Sequence, residues 1–80
     1  MNLLKQSFDT SINIIDNLSK RPSDEELLKV YAFYKQALLG NNTLDEPSMF
    51  NFSAKKKWTA WLNVKDMKDH DAMQNYINLS

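Results

Sequence analysis

Eighty residues with apolar positions repeating at helical spacing, few turn residues and no strand-like alternation predict an all-α fold, a small four-helix bundle. One glycine and two prolines are the only strong punctuation, so the helices are expected to run long and to break at few places. A chain of this length forms one core, and residues 1–80 are expected to be a single domain. The composition, 42% hydrophobic and 25% charged, suits a folded globular domain rather than a disordered segment.

Leu4, Phe8, Ile12, Ile15 and Leu18 recur every three or four residues and predict a first amphipathic helix over about residues 3–18. Arg21-Pro22-Ser23 is expected to end it. Ser23 then offers a hydroxyl N-cap to the next helix, with Glu26 three residues on as its capping-box partner, and Asp24 and Glu25 suit the positive end of the helix dipole. The second helix is expected from about 24 to Leu39, with Gly40 placed as its C′ stop. Residues 41–53 show no period, and a structureless connection of this length in a compact domain is often functional. Its Met49, Phe50 and Phe52 predict that it packs down on the body of the protein. Ser53 is expected to cap a third helix over about 54–64. The fourth, over about 68–79, carries Ala72, Met73, Tyr76, Ile77 and Leu79 on one face, with Asp66 and Asp69 competing to cap it.

Several functional classes are disfavoured at once. Without cysteine there is no disulfide framework, thiol nucleophile or thiolate metal site. A single glycine rules out glycine-rich phosphate loops, and no spaced cluster of histidine and acids suggests a metal centre or a catalytic dyad. His70, the sole histidine, falls at the edge of its helical arc and is read as structural. The chain is therefore expected to bind rather than to catalyse, with no metal and no cofactor. Zero formal net charge argues against nucleic-acid binding. No apolar run approaches the roughly 18 residues that cross a bilayer, and the N-terminus lacks a signal-peptide core. The expectation is a cytoplasmic monomer without stable membrane insertion.

Two lysines carry the functional reading. At about 100° per residue, Lys35 falls between Tyr31 and Leu28, inside the apolar arc of the second helix, and Lys57 falls between Val64 and Trp61 on the third. An inward ammonium is costly unless neutralised. Tyr31, Tyr34 and Lys35 share one face at i, i+3 and i+4. They read either as core tyrosines beside a snorkelling lysine or as an anion site in which phenols donate hydrogen bonds and the ammonium supplies charge. Lys57 adds a cation to a first helical turn that is already positive, a position an anion would relieve. Lys55 and Lys56 read as a solvated face. Trp61 and Phe8 are expected in the core. Trp58 stands at the rim of its arc, within reach of a ligand, and Tyr76 is either packing or a further phenol of the site.

Pro22-Ser23-Asp24-Glu25-Glu26-Leu27-Leu28, then Tyr31-Ala32-Phe33-Tyr34-Lys35-Gln36-Ala37 and Gly40, closely resemble the acyl-CoA-binding proteins. Pro47, Phe52, Lys55, Lys57-Trp58-Thr59-Ala60-Trp61 and Ala72-Met73-Gln74-Asn75-Tyr76-Ile77 continue the resemblance in the same order, and Phe8 fits the family's first-helix phenylalanine. The resemblance implies an up-down-down-up four-helix bundle with a long connection between helices 2 and 3. It also implies intracellular binding, buffering and transport of medium- to long-chain acyl-CoA esters without catalysis. Carried over by position, Tyr31, Lys35 and Lys57 would contact the adenosine 3′-phosphate and its neighbours, Tyr34 and Tyr76 would line the same site, and Trp58 would lie beside the ligand. Asp16 departs from the lysine that many members have, Glu46 from a frequent basic residue, Ser48 from the glycine common after the loop proline and Ala54 from a frequent glycine. Asp16 and Glu46 keep an alternative open, a helical interaction module with the same fold that docks a protein partner.

Overall fold

Residues 3–18 and 22–79 are described by the computed structural model; Arg21, expected to help end the first helix, lies outside them. Four helices follow in order, α1 (Leu3–Asp16), α2 (Asp24–Leu39), α3 (Phe52–Leu62) and α4 (Asp69–Leu79), with no strand among the described residues.

In α1, Leu4, Ile12 and Ile15 pack around Phe8, which is fully buried. The helix stops two residues short of the expected end. Asn17 donates its side-chain amide to the Asn13 carbonyl at 2.7 Å, and the backbone tightens into bonds from Asn17 to Ile14 and from Leu18 to Ile15. Leu18 leaves the apolar stripe and is exposed. Ser23 caps α2 as expected, but its hydroxyl does both halves of the work. It accepts the Glu26 N–H and donates to the Glu26 carboxylate, each at 3.2 Å. Gly40 ends α2 at φ 79°, a backbone region that glycine enters at no steric cost.

The α2–α3 connection departs most from expectation. Met49, Phe50 and Phe52 do not pack down; they are 65%, 83% and 71% exposed. Polar bonds hold the segment instead. Asn42 donates to the Trp58 carbonyl at 3.0 Å and accepts from the Leu44 N–H at 3.0 Å. The Trp58 indole N–H donates to the Leu44 carbonyl at 2.9 Å. The Trp61 indole donates to the Gly40 carbonyl at 2.8 Å, and Lys55 pairs with Glu46 at 3.6 Å. Asn51, not Ser53, caps α3: its side-chain oxygen accepts the Ala54 N–H, so the helix begins two residues earlier than expected and Ser53 sits in its first turn. Asp66 takes the positive φ of the α3–α4 turn at 68°, and α4 starts at Asp69. Ala72, Met73 and Tyr76 face inward from α4, whereas Leu79 is exposed.

Contacts between the helices set their directions. Leu28 and Phe52, both early in their helices, line one groove, and Gly40 after α2 meets Trp61 late in α3, so these two helices run parallel. Parallel neighbours need a connection that travels back the length of a helix, which accounts for the long 40–51 segment. Gln36 late in α2 reaches Met67 just before α4, while Tyr76 late in α4 and Asp16 at the end of α1 share a cavity with Leu27 at the start of α2. Both α1 and α4 therefore run opposite to α2, giving the up-down-down-up order. α2 is central, with α4 on one side and α3 on the other, and α1 packs outside α4.

The core lies where α1, α2 and α4 meet. Phe8 and Ala72 are fully covered, and the Phe8 and Tyr76 rings meet edge-on at 5.0 Å, with Tyr34 at 6.3 Å from each. Gln36, buried in this region, donates to the Asn41 side chain at 2.9 Å and to the Met67 carbonyl at 2.8 Å. It ties the end of α2 to the turn before α4.

Candidate functional site

Tyr31, Tyr34 and Lys35 leave α2 on one face, and that face opens between α4 and α3. Tyr34 turns toward Phe8 and Tyr76, while Tyr31 and Lys35 turn toward α3. The space between is a cavity of about 550 Å³ walled by Tyr31, Tyr34, Lys57 and Tyr76 together with Ile12, Asp16, Leu27, Val30 and Ser53. A smaller cavity of about 340 Å³ adjoins it beneath the connection, where Tyr31, Lys57, Trp58 and Trp61 face Leu44, Asp45 and Pro47.

The two lysines are held by rings rather than by acids. The Lys35 ammonium lies 5.7 Å from the Tyr31 ring centroid and 5.9 Å from that of Trp61, and the Lys57 ammonium lies 5.7 Å from the Tyr31 ring. Each such contact contributes about 0.5–1 kcal/mol near the surface. Among the described residues, no carboxylate comes within ion-pairing distance of either lysine. Their inward wheel positions thus do not bury them: Lys35 is half-buried and Lys57 exposed. The stems follow aromatic surface while the charged ends stay within reach of an anion.

Tyr76 differs from the other phenols. It is 2% exposed yet borders the cavity, and its pKa is pushed up to about 12, first by burial and then by the nearby Asp16 and Tyr34. It is therefore a neutral hydrogen-bond donor at any physiological pH.

Of the six residues singled out from sequence, Tyr31, Tyr34, Lys57 and Tyr76 share the larger cavity. Trp58 lines the smaller one, and its indole N–H is occupied by the Leu44 carbonyl, so it also fastens the connection. Lys35 stands behind Tyr31 against Trp61, linked to the cavity through the Tyr31 ring it shares with Lys57. Trp61 and Phe8 are core residues as expected, and His70 is exposed, with Asp69 and Asp71 at 3.6 and 3.5 Å.

Sequence reasoning missed Leu27 and Ser53 as lining residues. Each lies one turn before a residue it did select, Leu27 before Tyr31 and Ser53 before Lys57, so extending the selected faces by i−4 would have found both. Leu27, Ser53 and Lys57 also line a third cavity of about 400 Å³ with Asp24, Leu28, Phe52 and Lys56. That one continues through Leu28, Phe52 and Lys56 into an apolar groove of about 410 Å³ along Thr59 and Ala60. Lys57 thus lines both the tyrosine cavity and the cavity that leads, past Leu28 and Phe52, into the apolar groove. Among the described residues there is no group of three metal-binding side chains and no helix long and apolar enough to cross a membrane.

Comparisons with known proteins converge on one family. Residues 5–80 match the family model described as acyl-CoA binding protein. Acyl-CoA-binding protein homolog 1 of Caenorhabditis elegans is 42% identical over 73 residues, covering 91% of this chain and 85% of that protein. The acyl-CoA-binding protein of Saccharomyces cerevisiae is 39% identical over 77 residues, covering 96% and 88%. In three dimensions, the crystal structure of acyl-CoA-binding protein 2 of Oryza sativa superposes with a TM-score of 0.91 at 33% identity, over 95% of this chain and 83% of that one.

Proposed function

Since the chain belongs to the acyl-CoA-binding protein family, we propose that it binds medium- to long-chain acyl-CoA esters and acts as their intracellular buffer and carrier, by binding and without catalysis. In this reading residues 1–80 form one binding domain that works as a monomer in the cytoplasm. No bound group other than the acyl-CoA itself takes part.

The observation that carries the reading is the position of Lys57 between the tyrosine cavity and the entrance to an apolar groove. On one side lie the phenols of Tyr31, Tyr34 and Tyr76; on the other, Leu28 and Phe52 lead into the apolar groove along Thr59 and Ala60. An acyl-CoA ester has the matching polarity, a polyanionic nucleotide at one end and a long hydrocarbon at the other. Lys57 and Lys35 neutralise phosphate, each charge-assisted bond contributing about 1.5–3 kcal/mol. Tyr31 and the neutral Tyr76 hydroxyl donate to phosphate or ribose oxygens, Tyr34 lines the same cavity, and Trp58 borders the ligand from beneath the connection. The acyl chain lies along Leu28 and Phe52, gaining roughly 0.8 kcal/mol per methylene fully removed from water. The 71% exposure of Phe52, unexplained by folding alone, is accounted for by this chain.

Titration calorimetry with palmitoyl-CoA, compared with free coenzyme A, tests the proposal. The expected result is a one-to-one complex with palmitoyl-CoA at micromolar concentration or below, and much weaker binding of free coenzyme A. Absence of heat and of any tryptophan fluorescence change with palmitoyl-CoA at micromolar concentrations would overturn it.

A further inference from the structure

Among the described residues Asp16 is the one carboxylate on the wall of the tyrosine cavity, and local structure does not account for it. It is the last residue of α1, where the helix dipole is negative and a carboxylate is disfavoured. It has no cationic partner within ion-pairing distance among the described residues. Nor does it cap the helix; Asn17 does that through the Asn13 carbonyl. Its charge reaches across the cavity, where it adds to burial in keeping the Tyr76 phenol protonated. A residue that opposes its own helix end, yet faces the space a ligand fills, points to a role in how tightly that ligand is held.

We propose that Asp16 sets the affinity of the head-group cavity: its carboxylate opposes ligand phosphate and weakens the hold on the nucleotide, so that occupancy of the site depends on the acyl chain. This rests on the acyl-CoA reading above. The opposition is the same for every ligand carrying the same phosphates, so it leaves the ratio of affinities unchanged and moves both downward. Free coenzyme A, which has no chain to compensate, falls first into the range where it no longer occupies the site. The protein then holds the thioester and lets go of the bare carrier.

The test compares wild type with Asp16→Asn, which keeps shape and removes charge, and with Asp9→Asn. Asp9 is also on α1 but pairs with Lys5 at 2.9 Å and does not line the cavity. Affinities for palmitoyl-CoA and free coenzyme A are measured at low and high ionic strength, with circular-dichroism melts to confirm folding. Asp16→Asn is expected to tighten both ligands by the same factor, about three- to tenfold at low ionic strength, the size of one unit charge acting across a partly solvated cavity. The gain should shrink as salt is added, and Asp9→Asn should leave both affinities unchanged. Wild-type binding of palmitoyl-CoA with no gain in Asp16→Asn, a loss in that variant, or an equal gain from Asp9→Asn would overturn the role of Asp16 alone. If neither wild type nor Asp16→Asn binds palmitoyl-CoA, the acyl-CoA reading falls with it.

Discussion

The two sides of α2 are built on different physics. Toward α4 and α1 it meets a dry aromatic core: Phe8 and Ala72 are fully covered and Tyr76 nearly so, with Tyr34 completing the ring cluster. Toward α3 it meets open cavities, of which the tyrosine cavity also borders Ile12 and Asp16 of α1 and Tyr76 of α4. The elements there are held by directional bonds from Trp58, Trp61 and Asn42 to backbone carbonyls, while Met49, Phe50 and Phe52 remain in solvent. Close packing is thereby concentrated on one side and accessible apolar and cationic surface on the other, with Tyr34 and Tyr76 belonging to both. A binding protein gains from this separation, because ligand surface left unfilled in the free state does not weaken the core that positions it.

The largest effect comes from emptying the core side. Phe8→Ala removes the ring at the centre of the α1–α2–α4 cluster and should cost about 3–5 kcal/mol, a large share of what a domain of this size possesses. Urea unfolding followed by far-ultraviolet circular dichroism reads the loss. A small shift in midpoint would show that the core does not centre on Phe8.

The next effect belongs to the open side. Lys35→Ala and Lys57→Ala should each weaken palmitoyl-CoA binding by about 1.5–3 kcal/mol, one to two orders of magnitude in Kd, while unfolding midpoints stay near wild type. Unchanged affinity for either variant would remove that ammonium from the site. A large loss of stability would instead place it on the structural side of the division.

Trp61→Phe tests the seam between the two. It keeps most of the ring that supports Lys35 but deletes the N–H bonded to the Gly40 carbonyl at 2.8 Å. Stability should fall by about 1–2 kcal/mol, with a smaller change in binding. Equal losses in both would mean that the connection and the site move together.

The smallest effect at neutral pH concerns Tyr76. Its folded-state pKa, about 12, lies above the ordinary tyrosine value of 10.0, so the folded protein holds this proton more tightly than the unfolded chain. The stability tied to it is fully present below pH 10 and is lost as pH rises through 10 toward 12. Tyr76→Phe should remove that alkaline decline, measurable as a flatter midpoint-versus-pH curve above pH 10.

Sequence alone was enough to read the helices wherever apolar spacing and capping chemistry agreed. Ser23 with Glu26 and the positive φ at Gly40 place the ends of α2 as expected, because both are local steric and hydrogen-bonding matters. The boundary of α3 was not legible. Asn51 and Ser53 are both good N-caps, and the choice depends on the turn at 48–51, where Asn51 already bonds back to Ser48. The exposure of Phe50 and Phe52 was hidden for a related reason: apolar character predicts burial, but not whether a side chain is covered by protein or left for something else to cover.

The site divides the same way. Periodicity put Tyr31, Tyr34 and Lys35 on one face and singled out Lys57 before any coordinates, since these relations lie within single helices. That two ammoniums from different helices share the Tyr31 ring, that Tyr34 and Tyr31 turn toward opposite neighbours, and that Asp16 meets Tyr76 across a cavity are relations between helices distant in sequence. One helical wheel carries no information about which faces of other helices arrive opposite it. What the sequence determined by itself was therefore the helices, their apolar faces and the two unusual lysines, all set by local spacing. Only the tertiary structure decided that α2 and α3 run parallel, and so brought both lysines to the Tyr31 ring and set Lys57 between the tyrosine cavity and the way to an apolar groove.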